Sequence, residues 1–139
     1  MIFKVYTSLK SQDILLDLKS KTNITPNILA RYAISISLKS PNKLQKFNSD
    51  NKGLELNRQI LTGSYDSVYK ALIEQYENIE LSDEEYFPKY IKAHFERGIV
   101  ILNSEYEFAG NTEKFILAIS NYEFDQLGES LGGKSNDLS

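Results

Sequence analysis

The sequence predicts a mainly α fold that is ribbon-helix-helix-like: a short N-terminal strand followed by a compact helical domain, assembled as an oligomer. Three observations predict it. The run Ile2-Phe3-Lys4-Val5-Tyr6-Thr7-Ser8 is rich in β-branched and aromatic residues, which is strand composition. Beyond it, apolar residues recur at spacings of three and four, the helical period. The chain has 139 residues, 41% of them hydrophobic and 25% charged, which suits one folded domain and not a disordered chain.

The strand alternates Phe3, Val5 and Thr7 on one side with Ile2, Lys4, Tyr6 and Ser8 on the other. No second run is an equally good strand, and a lone strand leaves its backbone groups unpaired. Pairing with the same strand of a second copy across a two-fold axis solves this; an extended lead-in lying on the helices is the plainer alternative. Ser11 is the expected cap of a first helix running to about Lys21. Its stripe is Ile14, Leu15 and Leu18, and Lys19 and Lys21 fall in its last turn, where cations suit the helix dipole. Thr25-Pro26 starts a second helix with Thr as cap and Pro at the first helical position. It runs to about Lys39 and buries Ile28, Leu29, Tyr32, Ala33 and Ile36.

Residues 40–53 form a long polar loop. Leu54 to Leu61 is ambiguous between helical turns and an extended piece. Ser64 is the expected cap of a third helix, Tyr65–Glu77. Ser82-Asp83-Glu84-Glu85 spells a capping box, but Pro88 is too deep for that helix to continue smoothly. The favoured reading is a separate capping turn, with the main helix starting near Pro88; the alternative is a kink. Ile91, Phe95, Ile99 and Leu102 then repeat at three and four, and Gly98 among them implies a close neighbour. Residues 1–103 read as one helical domain. Residues 104–139 read as an extension: a short apolar helix over 112–120, then a tail over 128–139 with little to bury.

Several function classes are disfavoured. There is no cysteine and only one histidine, His94, so thiol catalysis, cysteine-ligated clusters and multi-histidine metal sites are excluded within the chain. No cofactor is implied. His94 reads as a core-edge histidine with a hydrogen bond to one neighbour, because no nucleophile stands near it in the pattern. The carboxylates from Glu74 to Glu85 read as an acidic helix start. Gly128 to Ser135 superficially resembles a nucleotide loop but lacks a strand before it and a helix after it. An enzyme is the least favoured class. No apolar run reaches 18 residues and the N-terminus lacks a signal pattern, which fits a cytoplasmic protein.

Charge is divided unevenly. Residues 1–58 hold ten Lys/Arg against four acids, net +6; residues 59–139 hold six against fifteen, net −9. Strand, helix, turn, helix in a basic N-terminal region suits contact with DNA phosphates. The candidates are Lys4, Lys10, Lys19, Lys21, Arg31, Lys39, Lys43 and Lys46. Lys19 and Lys21, with Asn23 and the amides near Thr25–Asn27, form one candidate anion corner; dipole compensation is the plain reading of those lysines. Lys39, Lys43, Lys46 and Lys52 can track a phosphate backbone or merely confer solubility.

The residues Leu18-Lys19, Thr25-Pro26-Asn27-Ile28-Leu29-Ala30-Arg31 and Ser35-Ile36-Ser37-Leu38 carry a likeness. So do Gly53-Leu54-Glu55-Leu56-Asn57-Arg58, Leu61-Thr62-Gly63-Ser64-Tyr65-Asp66 and His94-Phe95-Glu96-Arg97-Gly98-Ile99. Together, over about residues 2–103, the sequence resembles the DNA sulfur modification protein DndE family. The resemblance implies a place in bacterial phosphorothioation, where sulfur replaces a non-bridging phosphate oxygen of DNA. It implies a small, non-catalytic subunit associated with DndC- and DndD-type partners and with duplex or nicked DNA. It also implies a homo-oligomer, dimer or tetramer, with no membrane role. Two rivals stand beside it. One is a ribbon-helix-helix repressor or antitoxin, reading bases from a strand face (Lys4, Tyr6 and Ser8, or Phe3, Val5 and Thr7). The other is a protein–protein adaptor that docks through its acidic half without touching DNA.

Overall fold

A computed structural model describes residues 1–44 and 49–120. The fold is mainly helical with one small sheet. Strand β1 (Lys4–Tyr6) is followed by helices α1 (Leu9–Thr22) and α2 (Pro26–Leu38), then strand β2 (Glu55–Asn57) and a single helical turn, α3 (Arg58–Leu61). A 3-10 turn, Gly63–Tyr65, leads into α4 (Asp66–Glu77). Then come α5 (Asp83–Glu85), a π-helical stretch (Tyr86–Ile91), the long α6 (Lys92–Ala109) and α7 over residues 112–120. No helix of the described residues is long and apolar enough to cross a membrane.

The strand finds a partner within its own chain. β1 pairs antiparallel with β2, Val5 opposite Leu56, and both side chains are buried. The ladder continues past both ends of the strands: Arg58 N–H donates to Phe3 O at 2.7 Å, and Thr7 N–H to Leu54 O at 2.8 Å. Gly53 N–H then closes on Thr7 O, also at 2.8 Å. The ambiguous segment after the loop thus resolves as three extended residues and one helical turn. The loop brings it back along β1, and the backbone groups on that edge of the strand are satisfied within the chain.

Helix α1 is capped by Ser8 and not by Ser11. Ser8 Oγ accepts the Ser11 N–H at 3.1 Å. Ser11 lies inside the first turn and donates its own hydroxyl to Glu96 Oε1 at 2.7 Å. Glu96 also accepts from Ser8 Oγ at 2.5 Å and from Ser8 N–H at 3.0 Å. One carboxylate of α6 therefore anchors the start of α1. Asn23 ends α1 in the left-handed conformation, φ 59°. Helix α2 begins as expected at Pro26 after Thr25, though Thr25 makes no side-chain cap. Ser64 is not a cap either; it lies in the 3-10 turn.

Pro88 does not end the helix. The Ser82–Glu85 capping box is formed, and the chain runs from α5 through the π stretch into α6 without a break. A proline ring clashes with the carbonyl four residues back in an α-helix and lacks the donor for that bond. Widening the turn to π geometry relieves both. The core forms where α2 crosses α6: Leu29, Ala33 and Ile34 meet Phe95, Ile99 and Leu102 there, and Gly98 lies directly against the Ala33 backbone. Leu15 and Leu18 of α1 and Phe115 and Ile119 of α7 complete it. The expected nucleotide-like segment and the tail over 128–139 lie outside the described residues.

Candidate functional site

Two of the predicted cations meet on a groove of about 780 Å³ between the start of α1, the loop after α2 and one face of α6. Lys10 and Lys43 stand on it, with Arg97 from α6. Ala93, Val100 and Ile101 form an apolar floor, and Asp50 and Glu96 also line it. Both acids are engaged by the fold. Glu96 holds Ser8 and Ser11; Asp50 accepts from the amides of Leu9 and Lys52 at 3.0 and 2.9 Å, and these bonds hold its carboxyl below the usual range. At the start of α1 the amides of Ser8 and Leu9 are thereby occupied by carboxylates, and that of Ser11 by the Ser8 hydroxyl.

The other predicted cations lie elsewhere. Lys4 is exposed on β1 and pairs with Glu55 at 3.5 Å. Lys19 is exposed in the last turn of α1. Lys21 beside it pairs with Asp17 at 2.9 Å and lies over the Tyr106 ring. Arg31 is half-buried and donates to the carbonyls of Ile60 and Leu61 at 3.1 and 3.4 Å. Lys39 is half-buried at the end of α2. Lys46 lies outside the described residues. The groove thus brings together Lys10 and Lys43 and leaves Lys4, Lys19, Lys21 and Arg31 on other faces. The strand faces expected to read bases are largely consumed by the fold. Val5, Thr7 and Ser8 are buried, and Lys4 and Tyr6 both reach Glu55.

Sequence reasoning missed the residue that organises the groove. Arg97 donates from Nε to Ser37 Oγ at 2.8 Å and from Nη2 to Ser37 O at 2.7 Å. It also reaches Asn42 O at 2.6 Å and Tyr76 Oη at 2.9 Å. The Tyr76 hydroxyl in turn contacts Ser40 O at 3.0 Å and Asn42 O at 2.5 Å. Lys43 Nζ donates to Tyr76 O and lies 4.8 Å from the centre of that ring. The histidine–arginine–glycine spelling at 94, 97 and 98 was the available signal, but it marks no spatial partner.

His94 is fully buried and bonds two neighbours, one more than expected. Its Nδ1 lies 2.8 Å from Ser37 Oγ and its Nε2 lies 3.0 Å from Glu77 Oε2. Burial, with Arg97 nearby, pushes the imidazole down to about 3, so the ring is neutral at pH 7. The donors then order themselves: Arg97 to Ser37 Oγ, Ser37 to Nδ1, and Nε2–H to the Glu77 carboxylate. A second buried cluster forms on Arg58, which bonds Asp66 and Asp83 at 2.8 and 2.9 Å and Ile2 O at 2.9 Å. Its guanidinium lies over the rings of Tyr86 and Phe87.

The arrangement combines a loop strapped to α6 with a two-lysine groove, on a two-stranded sheet closed within one chain. A family model described as "DNA sulphur modification protein DndE" matches residues 4–119. The chain belongs to the DndE family. DndE from Escherichia coli B7A, whose crystal structure is described as involved in DNA phosphorothioation modification, is similar with a TM-score of 0.60 and 26% identity. That match covers 71% of this chain and 96% of the other. A crystal structure of the DndE G21/24K mutant is similar with a TM-score of 0.59 and 26% identity, covering 75% and 99%. No curated protein matches. The DndE family is involved in DNA phosphorothioation.

Proposed function

We propose that this DndE chain is a non-catalytic, DNA-binding accessory subunit of the phosphorothioation system. It holds duplex or nicked DNA by phosphate contacts within a DndC–DndD-type complex in the cytoplasm, as a homo-oligomer. The observation that carries the reading is the meeting of Lys10 and Lys43 on one groove, in a chain whose first 58 residues are net +6. A chain without cysteine carries no persulfide or cysteine-ligated cluster of its own, which supports leaving the sulfur chemistry to partners.

The test is a salt-titrated binding assay on intact and nicked duplex of several sequences. Phosphate-dominated binding falls with a log–log slope of about −0.9 per phosphate contacted. A flat salt dependence between about 50 and 200 mM would sink the electrostatic mechanism. Loss of binding at only one sequence, after Lys19→Glu and Lys21→Glu, would favour base reading and the repressor.

The adaptor reading has one observation in its favour. Phe108 is 91% exposed at the end of α6, beside Glu107, so a large apolar side chain stands on the acidic half by which an adaptor would dock. Co-purification with an ATPase partner, with no shift of DNA by the isolated chain, would select it.

A further inference from the structure

The loop that carries Lys43 is short of regular structure, yet its first residues are among the most heavily bonded in the chain. Three carbonyls define its path. Ser37 O is held by Arg97, Ser40 O by Tyr76, and Asn42 O by both. The donors come from two other elements, α6 and α4. They are coupled to each other, since Arg97 Nη2 donates to Tyr76 Oη and its guanidinium lies 5.7 Å from the ring centre. Lys43 follows at once, its ammonium set on the far end of α4 through Tyr76 O and the ring face. A cation there also sits favourably at the negative end of the α4 dipole.

The geometry points to Arg97 and Tyr76 as positioning residues: they clamp residues 40–42 so that Lys43 is presented to a phosphate on the groove that Lys10 also lines. This rests on the DNA-binding reading above. Without the clamp, Lys43 stays charged but its ammonium is spread over the reach of an untethered loop. The entropy of ordering it would then be lost on each encounter with DNA. All three nitrogens of Arg97 donate, in four hydrogen bonds. Lysine cannot reproduce that pattern.

A double-mutant cycle in the full chain tests this, read by salt-titrated binding to a nicked duplex. Lys43→Met is expected to weaken binding and to reduce the salt slope by about 0.9, one phosphate. Tyr76→Phe, which removes only a hydroxyl, and Arg97→Lys, which keeps the charge, are each expected to weaken binding by about as much as Lys43→Met. Neither is expected to add to the loss once Lys43 is Met, because they act through it. Amide exchange in residues 40–44 is expected to speed up in both variants, with the α2 and α6 amides unchanged. Additive losses, or unchanged exchange, overturn the clamp and leave the DNA-binding reading standing. Unchanged binding after Lys43→Met does the same. If the wild-type chain fails to bind DNA, both readings fall together.

Discussion

A Cβ on Gly98 would stand 1.7 Å from the carbonyl oxygen of Ala33, so the crossing of α2 over α6 admits nothing larger than glycine. Helix propensity alone favours alanine at this mid-helix site by about 1 kcal/mol. The clash is with backbone and not with the end of a flexible side chain, so it dominates, and the two helices must move apart. Gly98→Ala is expected to lower stability by about 1–3 kcal/mol, read as a fall in the urea midpoint. An unchanged or raised midpoint would show that the crossing is looser than described.

Arg58 is 6% exposed and holds two carboxylates, the Ile2 carbonyl and two aromatic faces. Arg58→Met keeps much of the packing and removes the charge. It leaves Asp66 and Asp83 facing each other without a cation. Because both acids retain contact with water, the loss is expected at the low end for a broken buried pair, about 3 kcal/mol. Burial pushes the Asp66 carboxyl up, but hydrogen bonds from Arg58, Thr62 and Tyr86 outweigh it and hold it below its ordinary value. Arg58 and the Ile2 amide likewise hold Asp83 down. A depressed carboxylate contributes stability above its unfolded pKa, about 3.9, and that contribution is lost as pH falls through the lower folded value. The wild-type chain should therefore lose stability on acidification below about pH 4 more steeply than Arg58→Met does. Parallel acid titrations of the two would contradict this assignment.

His94 titrates in a higher window. Its folded value, about 3, lies below the unfolded value of about 6.5. Between these limits the unfolded chain takes up a proton that the folded chain refuses, so stability falls as pH drops from about 6.5 toward 3, by at most about 1.4 kcal/mol per unit. Burial raises the Glu77 carboxyl, which relieves a folded-state cost on its protonation and offsets part of that fall at the acid end. His94→Gln is expected to flatten the dependence between about pH 6.5 and 5, measured by urea unfolding across that range. A variant with the wild-type slope would place the titrating group elsewhere.

How much of this was legible depended on range. Thr25-Pro26 announced α2 because the proline signal is local, and the Ser82 box announced α5 for the same reason. The strand's partner was hidden: Glu55-Leu56-Asn57 offers only one apolar residue, Leu56, and its pairing with Val5 is enforced by a distant ladder that closes at Gly53 and Arg58. Pro88 correctly marked a fault in α geometry, but sequence rules offer a break or a kink and not a widened turn. At the site, the lysines were visible and their partners were not. The Asp17–Lys21 pair is a spacing of four on one helix and was readable in principle; the Lys4–Glu55 pair and the Arg97 network join residues 21 to 60 positions apart.

That pairing yields the sharpest test of the electrostatic grip. Asp17 accepts a bond from Lys21 at 2.9 Å on the exposed face of α1, and this contact is what raises the lysine's affinity for its proton. A phosphate that recruits Lys21 must compete with Asp17 and approach its charge. Asp17→Asn removes both obstacles, and the surface pair itself contributes little to stability. DNA binding at low salt is expected to tighten by about threefold to tenfold, equivalent to roughly 1 kcal/mol, with a steeper salt slope because one more lysine reaches a phosphate. Asp13→Asn is the control: it removes the same charge from the same helix without releasing Lys21. If the two variants tighten binding equally, only net charge matters and Lys21 makes no phosphate contact. If Asp17→Asn alone tightens it, the end of α1 lies on the DNA.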